Sequence, residues 1–512
     1  MIEPRFYTAG DSAEALAQME TSATAVRRRR LPAVRRVYYD TFDGRLHRAG
    51  RRLLSRRRSG AHELEWRDAA GKVLGTVRTA SLPTRAGALP EADWAAELAG
   101  ILGVRALLPI AHHRRAGMNL EILDLRRKIV ARLAVIEGDV QRPAGGGAYR
   151  PLPPLLRVTA LRGYTDEADA VARELVRAHA QPLAGDELEH IAQALDLELG
   201  VDPSKFAPRF DPEQPAGDAV RAALGRLHDI VRLNQPGTVR GLDPEFLHQL
   251  RVAVRRSRSI LGQLSDLFDE RPRRALADEL RWLGRQTGPA RDLDVYRLKI
   301  DGYSAGLPDS VRRDLTPLSR LLEKKHRQSQ RRLARVLQSA RYERLLKRWA
   351  AFVDDDGNST EAANRPIAGT AAGKVRKARR RLLKRGRAIE ETTPDEALHR
   401  LRIDGKKLRY LLELFRSLWS PKDATRAIKQ LKRLQDVLGE FNDLAVHRAA
   451  LAEYASELED PAALIATGRL VEQLAERARQ VRGRFAERFA ALDSPPTEKL
   501  FRRLGGSGGE SA

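Results

Sequence analysis

One stretch of this chain occurs twice, 151 residues apart, and this duplication limits the fold more than any other feature. Leu247-His248-Gln249-Leu250-Arg251-Val252 returns as Leu398-His399-Arg400-Leu401-Arg402-Ile403. At the same offset Arg255, Arg256 and Arg258 fall on Lys406, Lys407 and Arg409. Leu283, Gly288, Asp292, Leu293 and Val295 fall on Leu434, Gly439, Asp443, Leu444 and Val446. A register held without a gap from Leu247 to Val295 implies an internal duplication, and so two structurally related halves.

Each repeated segment reads as an amphipathic helix. Leu247, Leu250, Val254, Leu261 and Leu264 form one apolar stripe, and Leu398, Leu401, Leu408, Leu412 and Phe415 form its counterpart. His248, Arg251, Arg255 and Arg258 recur at i, i+3, i+7 and i+10 and share a different face, as do His399, Arg402, Lys406 and Arg409. Neighbouring like charges cost a helix roughly 0.2–0.5 kcal/mol per pair, so helix stability does not explain such a row. An anion that neutralises it does. Arginine grips phosphate oxygens bidentately, lysine acts as a point charge, and a histidine beside the row donates a hydrogen bond. The bland alternative is a solvated charged face, but two copies of the same row weigh against it. A metal site is not expected, because each helix offers one His among cations and no Cys or carboxylate completes a ligand set. No catalytic residue or cofactor motif is evident. The Asp that follows each repeated Gly, Asp292 and Asp443, is expected to anchor arginines or cap a helix.

The charge of the whole chain agrees. Its 512 residues carry 93 Lys+Arg against 68 Asp+Glu, a formal +25, and the excess lies mainly beyond residue 200. Apolar residues, at 42%, are interleaved throughout, so this is a folded basic protein rather than a disordered tail. Such a chain expects a polyanion: nucleic acid, anionic lipid or a phosphate polymer. With aromatics at only 5% there are few stacking surfaces for single-stranded nucleic acid, and neither a nucleic-acid motif nor a P-loop is present. Weak, salt-sensitive nucleic-acid binding is still expected. There is no cysteine, no apolar run of membrane-spanning length and no signal pattern at the N-terminus, so the reading is a cytoplasmic protein. Oligomeric state is not readable.

Residues 1–199 mix strand and helix signals. Extended candidates are Val37–Asp40, His62–Arg67, Gly75–Thr79, Met118–Leu123, Ile129–Glu137 and Leu155–Leu161, with a helical period over Asp166–Ala180. Residues 200–217, with four prolines, read as a linker, and residues 505–512 as a flexible tail. Between them lies an all-helical region, 218–504, whose halves span about 218–353 and 368–504, separated by a polar break at Asp354–Asn358. Further basic helices surround Arg331, Lys374–Arg381 and Arg482.

The paired Leu-His-x-Leu-Arg-(Val/Ile) helices with their trailing cations resemble the CHAD family, the conserved histidine α-helical domain. The resemblance implies two four-helix bundles related by pseudo-twofold symmetry around a basic pore or groove that binds inorganic polyphosphate, with residence on polyphosphate granules. Carried over by position, the binding residues would be His248, Arg251, Arg255, Arg256, Arg258, His399, Arg402, Lys406, Lys407 and Arg409, with Arg331 and Arg482 completing the lining.

The N-terminal region resembles a degenerate CYTH domain, an antiparallel β-tunnel for triphosphates. Tyr38-Tyr39-Asp40-Thr41, Leu46-His47-Arg48-Ala49-Gly50 and Leu161-Arg162-Gly163-Tyr164 carry the likeness, in a pairing with CHAD familiar from bacteria. Active members open on a Glu-x-Glu-x-Lys strand, whereas this chain reads Met1-Ile2-Glu3-Pro4-Arg5-Phe6, and Leu156–Ala160 supplies no carboxylate. Hydrolysis of a triphosphate in this fold needs acidic residues to hold a divalent cation. Metal-dependent triphosphatase activity is therefore one alternative function and is not expected; a general nucleic-acid-binding basic protein is the other. Arg56–Arg58, Arg67, Arg78 and Arg126–Lys128 are left as phosphate contacts or exposed strand charges.

Overall fold

A computed structural model describes residues 5–8, 25–58, 60–143, 148–183 and 185–506. The chain divides after Pro203 into a sheet unit and a helical unit.

Nine antiparallel strands form the sheet unit: β1 (Arg5–Thr8), β2 (Ala25–Asp40), β3 (Arg51–Arg58), β4 (Ala61–Asp68), β5 (Val73–Thr79), β6 (Leu108–Leu123), β7 (Ile129–Gln141), β8 (Arg150–Ala160) and β9 (Gln181–Pro182). Their order is β5-β4-β3-β2-β6-β7-β8-β1-β9. This architecture is consistent with a CYTH-like tunnel. Five of the six expected extended segments lie within strands and the sixth overruns β8 by one residue, Leu161, while β2 and β6 are far longer than their apolar cores suggested. The arginine run of β2 pairs with β6 from Ala25 onward, so backbone pairing overrides the weak local signal. Helices α1 (Arg45–Arg48), α2 (Ala95–Leu102), α3 (Thr165–Arg177) and α4 (Glu187–Ala194) accompany the sheet. α3 is the expected helix, and buries Ala168, Val171, Ala172 and Leu175 against the apolar side chains of β7 and β8. Trp66 is wholly buried and stacks on Trp94 at 5.7 Å. Met1–Pro4, the stretch compared with the acidic strand, lies outside the described residues.

The helical unit contains α5 (Ala216–Arg240), α6 (Pro244–Gln263), α7 (Glu270–Gln286), α8 (Gly288–Ser304), α9 (Asp309–Asp314), α10 (Thr316–Leu337), α11 (Ala340–Asp354), α12 (Ile367–Gly386), α13 (Asp395–Leu414), α14 (Pro421–Ala455), α15 (Pro461–Gly483), α16 (Phe485–Leu492) and α17 (Pro495–Gly506). The duplication is visible in the element bounds. α6 and α13 begin and end 151 residues apart, α5 and α12 begin so, and α14 spans the counterparts of α7 and α8 together. Where the halves meet, Ala216 N–H donates to Arg365 O at 2.9 Å and Ile367 N–H to Gln214 O at 3.0 Å. Each bond is the image of the other under the 151-residue offset. Every residue of both apolar stripes is buried in one continuous core.

Two expectations change. The segment read as a linker is only partly a spacer, because Ser204 and Phe210 are already packed in the helical unit. Ser204 Oγ accepts from Asn234 at 2.8 Å, and Phe210 lies 6.2 Å from the Phe415 ring. Apolar anchors between the prolines outweigh the prolines' turn signal. Nor do Gly505 and Gly506 begin the tail. They end α17, held by the buried Leu500, Phe501 and Leu504. Residues 507–512 lie outside the described residues.

Candidate polyanion site

α6 is started firmly. Asp243 caps it by accepting from the Glu245 N–H at 2.7 Å, and Pro244 occupies the first turn, where its missing N–H costs nothing. With the apolar stripe facing the core, the cationic row must face outward, and the same holds for α13. These two helices pack on one another. The result is a cavity of about 740 Å³ lined by both copies. Arg255 and Arg258 come from α6, and His399, Arg402, Lys406 and Lys407 from α13. α7 adds Arg273, Arg274 and Arg281.

Few carboxylates answer this charge. Within the lining, Asp278 pairs with Arg281, and Arg274 reaches Glu270. Arg402 is 3.9 Å from Asp443, which also takes Lys299 at 3.2 Å, as expected of an anchoring Asp. Arg255, Lys406 and Lys407 have no ion pair among the described residues. The consequence is electrostatic: burial, then the charges of Arg402, Arg255 and Arg409, push the Lys406 ammonium down to about 7. Burial also lowers Arg402, with Arg255 and Arg409 adding to it, and lowers Arg258, with Arg281 and Arg285 adding to it. The Nε atoms of Arg255 and Arg402 are buried without a hydrogen-bond partner. His399 Nδ1 lies 2.6 Å from Asn442 Oδ1, an acceptor, so Nδ1 carries the proton and the ring's orientation is fixed.

The two copies contribute unequally. Arg251, the counterpart of Arg402, does not line the cavity. It donates to Gly284 O at 3.0 Å and Thr287 Oγ1 at 2.7 Å, at the C-terminal end of α7. That end exists because Pro289 cannot continue the helix. In the second copy Glu440 stands in its place, α14 runs unbroken, and Arg402 stays in the cavity. Arg409 likewise differs from Arg258. Glu413, where the first copy has Gly262, pairs with Arg409 at 3.4 Å and with Arg256 at 2.8 Å. Arg256 also lies 5.2 Å from the Phe206 ring. His248 is half-buried and outside the lining, as is the exposed Arg331. Arg482 is a structural clasp, donating to Asp395 at 2.5 Å and to Glu391 O at 2.7 Å across the α12–α13 connection. Six of the predicted residues thus share one cavity. The sequence reading missed the α7 arginines because Glu270, Asp278 and Glu279 balance them along the chain, and because their counterparts Ala424, Thr425 and Lys432 do not repeat the pattern.

The sheet unit treats its cations differently. Buried Glu187 takes Arg36 at 2.9 Å, Arg115 at 2.9 Å and His113 at 3.3 Å. Despite its burial, Arg36 and Arg115 above all hold its carboxyl well below the usual range. Arg67 pairs with Glu65, and Arg56 with Glu63 at 2.9 Å and Glu65 at 3.3 Å. Arg78 is an exposed strand charge, and Arg126–Lys128 form a turn held by Asp124. Among the described residues no group of three or more His, Cys, Asp or Glu side chains is placed to share a metal ion.

Residues 222–452 match the family model of the CHAD domain. The crystallised CHAD domain of the plant Ricinus communis is 31% identical, over 56% of this chain and 95% of that one, with a TM-score of 0.48. PptA from Streptomyces chartreusis is 18% identical, over 54% and 99% of the two chains, with a TM-score of 0.43. Two Mycobacterium tuberculosis proteins, MT2285 of strain CDC 1551 / Oshkosh and Rv2226 of strain ATCC 25618 / H37Rv, are 29% identical over 297 residues, 56% of this chain. The chain spans about half the length of these curated relatives, 54%. The family-model match, which spans the duplicated helices, identifies residues 222–452 as a CHAD domain.

Proposed function

We propose that the cavity between α6 and α13 binds inorganic polyphosphate as a receptor, without turning it over, and that this binding places the protein on polyphosphate granules. The observation that carries the reading is the cluster of Arg255, Arg402 and Lys406, contributed by both copies and short of compensating carboxylates. A folded chain keeps such a cluster at a cost in stability, and a linear phosphate polymer offsets it along its whole length. The guanidinium groups match phosphate oxygens in pairs, while Lys406 and Lys407 supply point charges. Support for a non-catalytic role comes from the sheet unit, where Glu65 and Glu187 are engaged by arginines and not gathered to hold a divalent cation.

A competition titration at physiological salt tests this. Labelled long-chain polyphosphate is displaced by DNA, RNA or tripolyphosphate while free phosphate is followed with Mg²⁺ or Mn²⁺ present. Binding that nucleic acid fails to displace, with no phosphate released, is the expected result. Ready displacement by DNA would reduce the site to a general polyanion surface, and metal-dependent phosphate release would make the sheet unit an enzyme.

A further inference from the structure

The cavity does not end at α13. A smaller one of about 230 Å³ shares Arg258, Ser259, Gly262 and Lys407 with it and is closed on its other side by Lys374, Lys377 and Arg381 of α12. Around the same helix lies a third, of about 680 Å³, between α12 and α17. Arg379, Arg380 and Lys384 face it, over a floor that includes Leu383 and Phe501. The carboxylate in its lining, Glu498, takes Arg502 at 2.6 Å, and Arg387 of the lining is held by Asp493 at 2.7 Å through both oxygens. Arg380 and Lys384 have no ion pair among the described residues, and Arg379 Nε is buried without a hydrogen bond. Among the described residues, Lys374 alone of the α12 cations in the smaller cavity is ion-paired, to Asp266 at 2.5 Å.

The duplication supplies an internal control. α5 is the counterpart of α12, and the residues corresponding to Arg379, Arg380 and Lys384 are His228, Asp229 and Leu233. Those corresponding to Lys374, Lys377 and Arg381 are Ala223, Arg226 and Ile230. The fold does not require this charge, since the other half folds the same helix nearly without it. Cations at these spacings also repel one another along α12.

Resting on the function proposed above, we propose that α12 is a one-sided exit track. A phosphate polymer seated in the central cavity continues past Lys377 and Arg381 and into the groove against α17. Chains long enough to fill both sites gain from the raised effective concentration of their second segment, so the protein selects long polyphosphate over short.

The test compares tripolyphosphate with long-chain polyphosphate at fixed salt, on the full chain and on R380A/K384A, both exposed positions. K347A/R348A removes the same charge from an exposed part of α11 off the track. The expected result is an unchanged tripolyphosphate affinity in R380A/K384A, with long-chain affinity about tenfold weaker, roughly the effect of losing one charged hydrogen bond. K347A/R348A should leave both nearly intact. Equal losses in the two variants, or unmodified protein that does not prefer long chains, would overturn the track alone. Failure of the unmodified protein to bind polyphosphate of any length would overturn the function and the track together.

Discussion

The sheet interior and the helical cavity are both rich in arginine, yet they use it oppositely. In the sheet unit Arg36, Arg56, Arg67 and Arg115 each meet a carboxylate, and Glu187 gathers several of them in the interior. In the helical unit Arg255, Arg402 and Lys406 meet mainly one another. The lesson is that arginine content does not mark a polyanion site. What marks it is a deficit of carboxylates where the cations converge, and that deficit appears as depressed proton affinity on the group best able to give up its proton, Lys406.

The contrast can be broken in several ways. The largest expected effect is in the sheet unit: Arg36→Met leaves Glu187 short of a buried partner and should destabilise the unit by about 3 kcal/mol or more in denaturant unfolding. Polyphosphate affinity should not move. A weakened affinity would mean that the paired cations also serve the ligand. Next, R255A/R402A removes two phosphate contacts worth about 1.5–3 kcal/mol each and should weaken polyphosphate binding by roughly a hundredfold or more, and DNA binding far less. Equal losses for both polymers would make the cavity a nonspecific surface.

A smaller effect concerns protons. Free Lys406 titrates near 7, and a bound polyanion raises that value. Binding should therefore take up a proton, and affinity should fall as pH rises from about 7, by at most about tenfold per pH unit. Calorimetry in buffers of different ionisation enthalpy measures the uptake, which Lys406→Met should abolish. A stability effect confined to acid pH sits at His447, whose ring accompanies the Tyr303 hydroxyl at 2.6 Å. Burial, then Lys299, depresses it from 6.5 to about 4. Its neutral form is favoured by folding, so its contribution is complete above about pH 6.5 and is lost as pH falls toward 4. His447→Gln should flatten that part of the stability–pH curve, and an unchanged slope would assign it to other groups.

Much of the helical unit was legible because a duplication reports on itself. The apolar stripes, the cationic rows and the break near Asp354 all lie where a period of 3.6 and a fixed offset put them. What stayed hidden were the differences between copies. Glu413 draws Arg409 aside, and Pro289 gives Arg251 a helix end to hold, but neither residue stands out until the third dimension brings it to its partner. Arg482 looked like one more member of a basic run, and only the connection it clasps separates it from a ligand. In the sheet unit the long arginine run of β2 hid a strand, because strand formation there depends on β6, distant in sequence, more than on local propensity.

Pro289 has a mechanical consequence as well. α14 is an unbroken rod of 35 residues, about 52 Å long at 1.5 Å per residue, while the equivalent stretch of the first copy is jointed at Thr287. A rod and a jointed arm of the same ancestry flank the cavity. Amide hydrogens near Gly288 should exchange with solvent sooner than those near Gly439, since a joint exposes backbone that a rod keeps closed. Give in the cavity walls belongs to the first copy, and the second holds Arg402 and His399 against a stiff support.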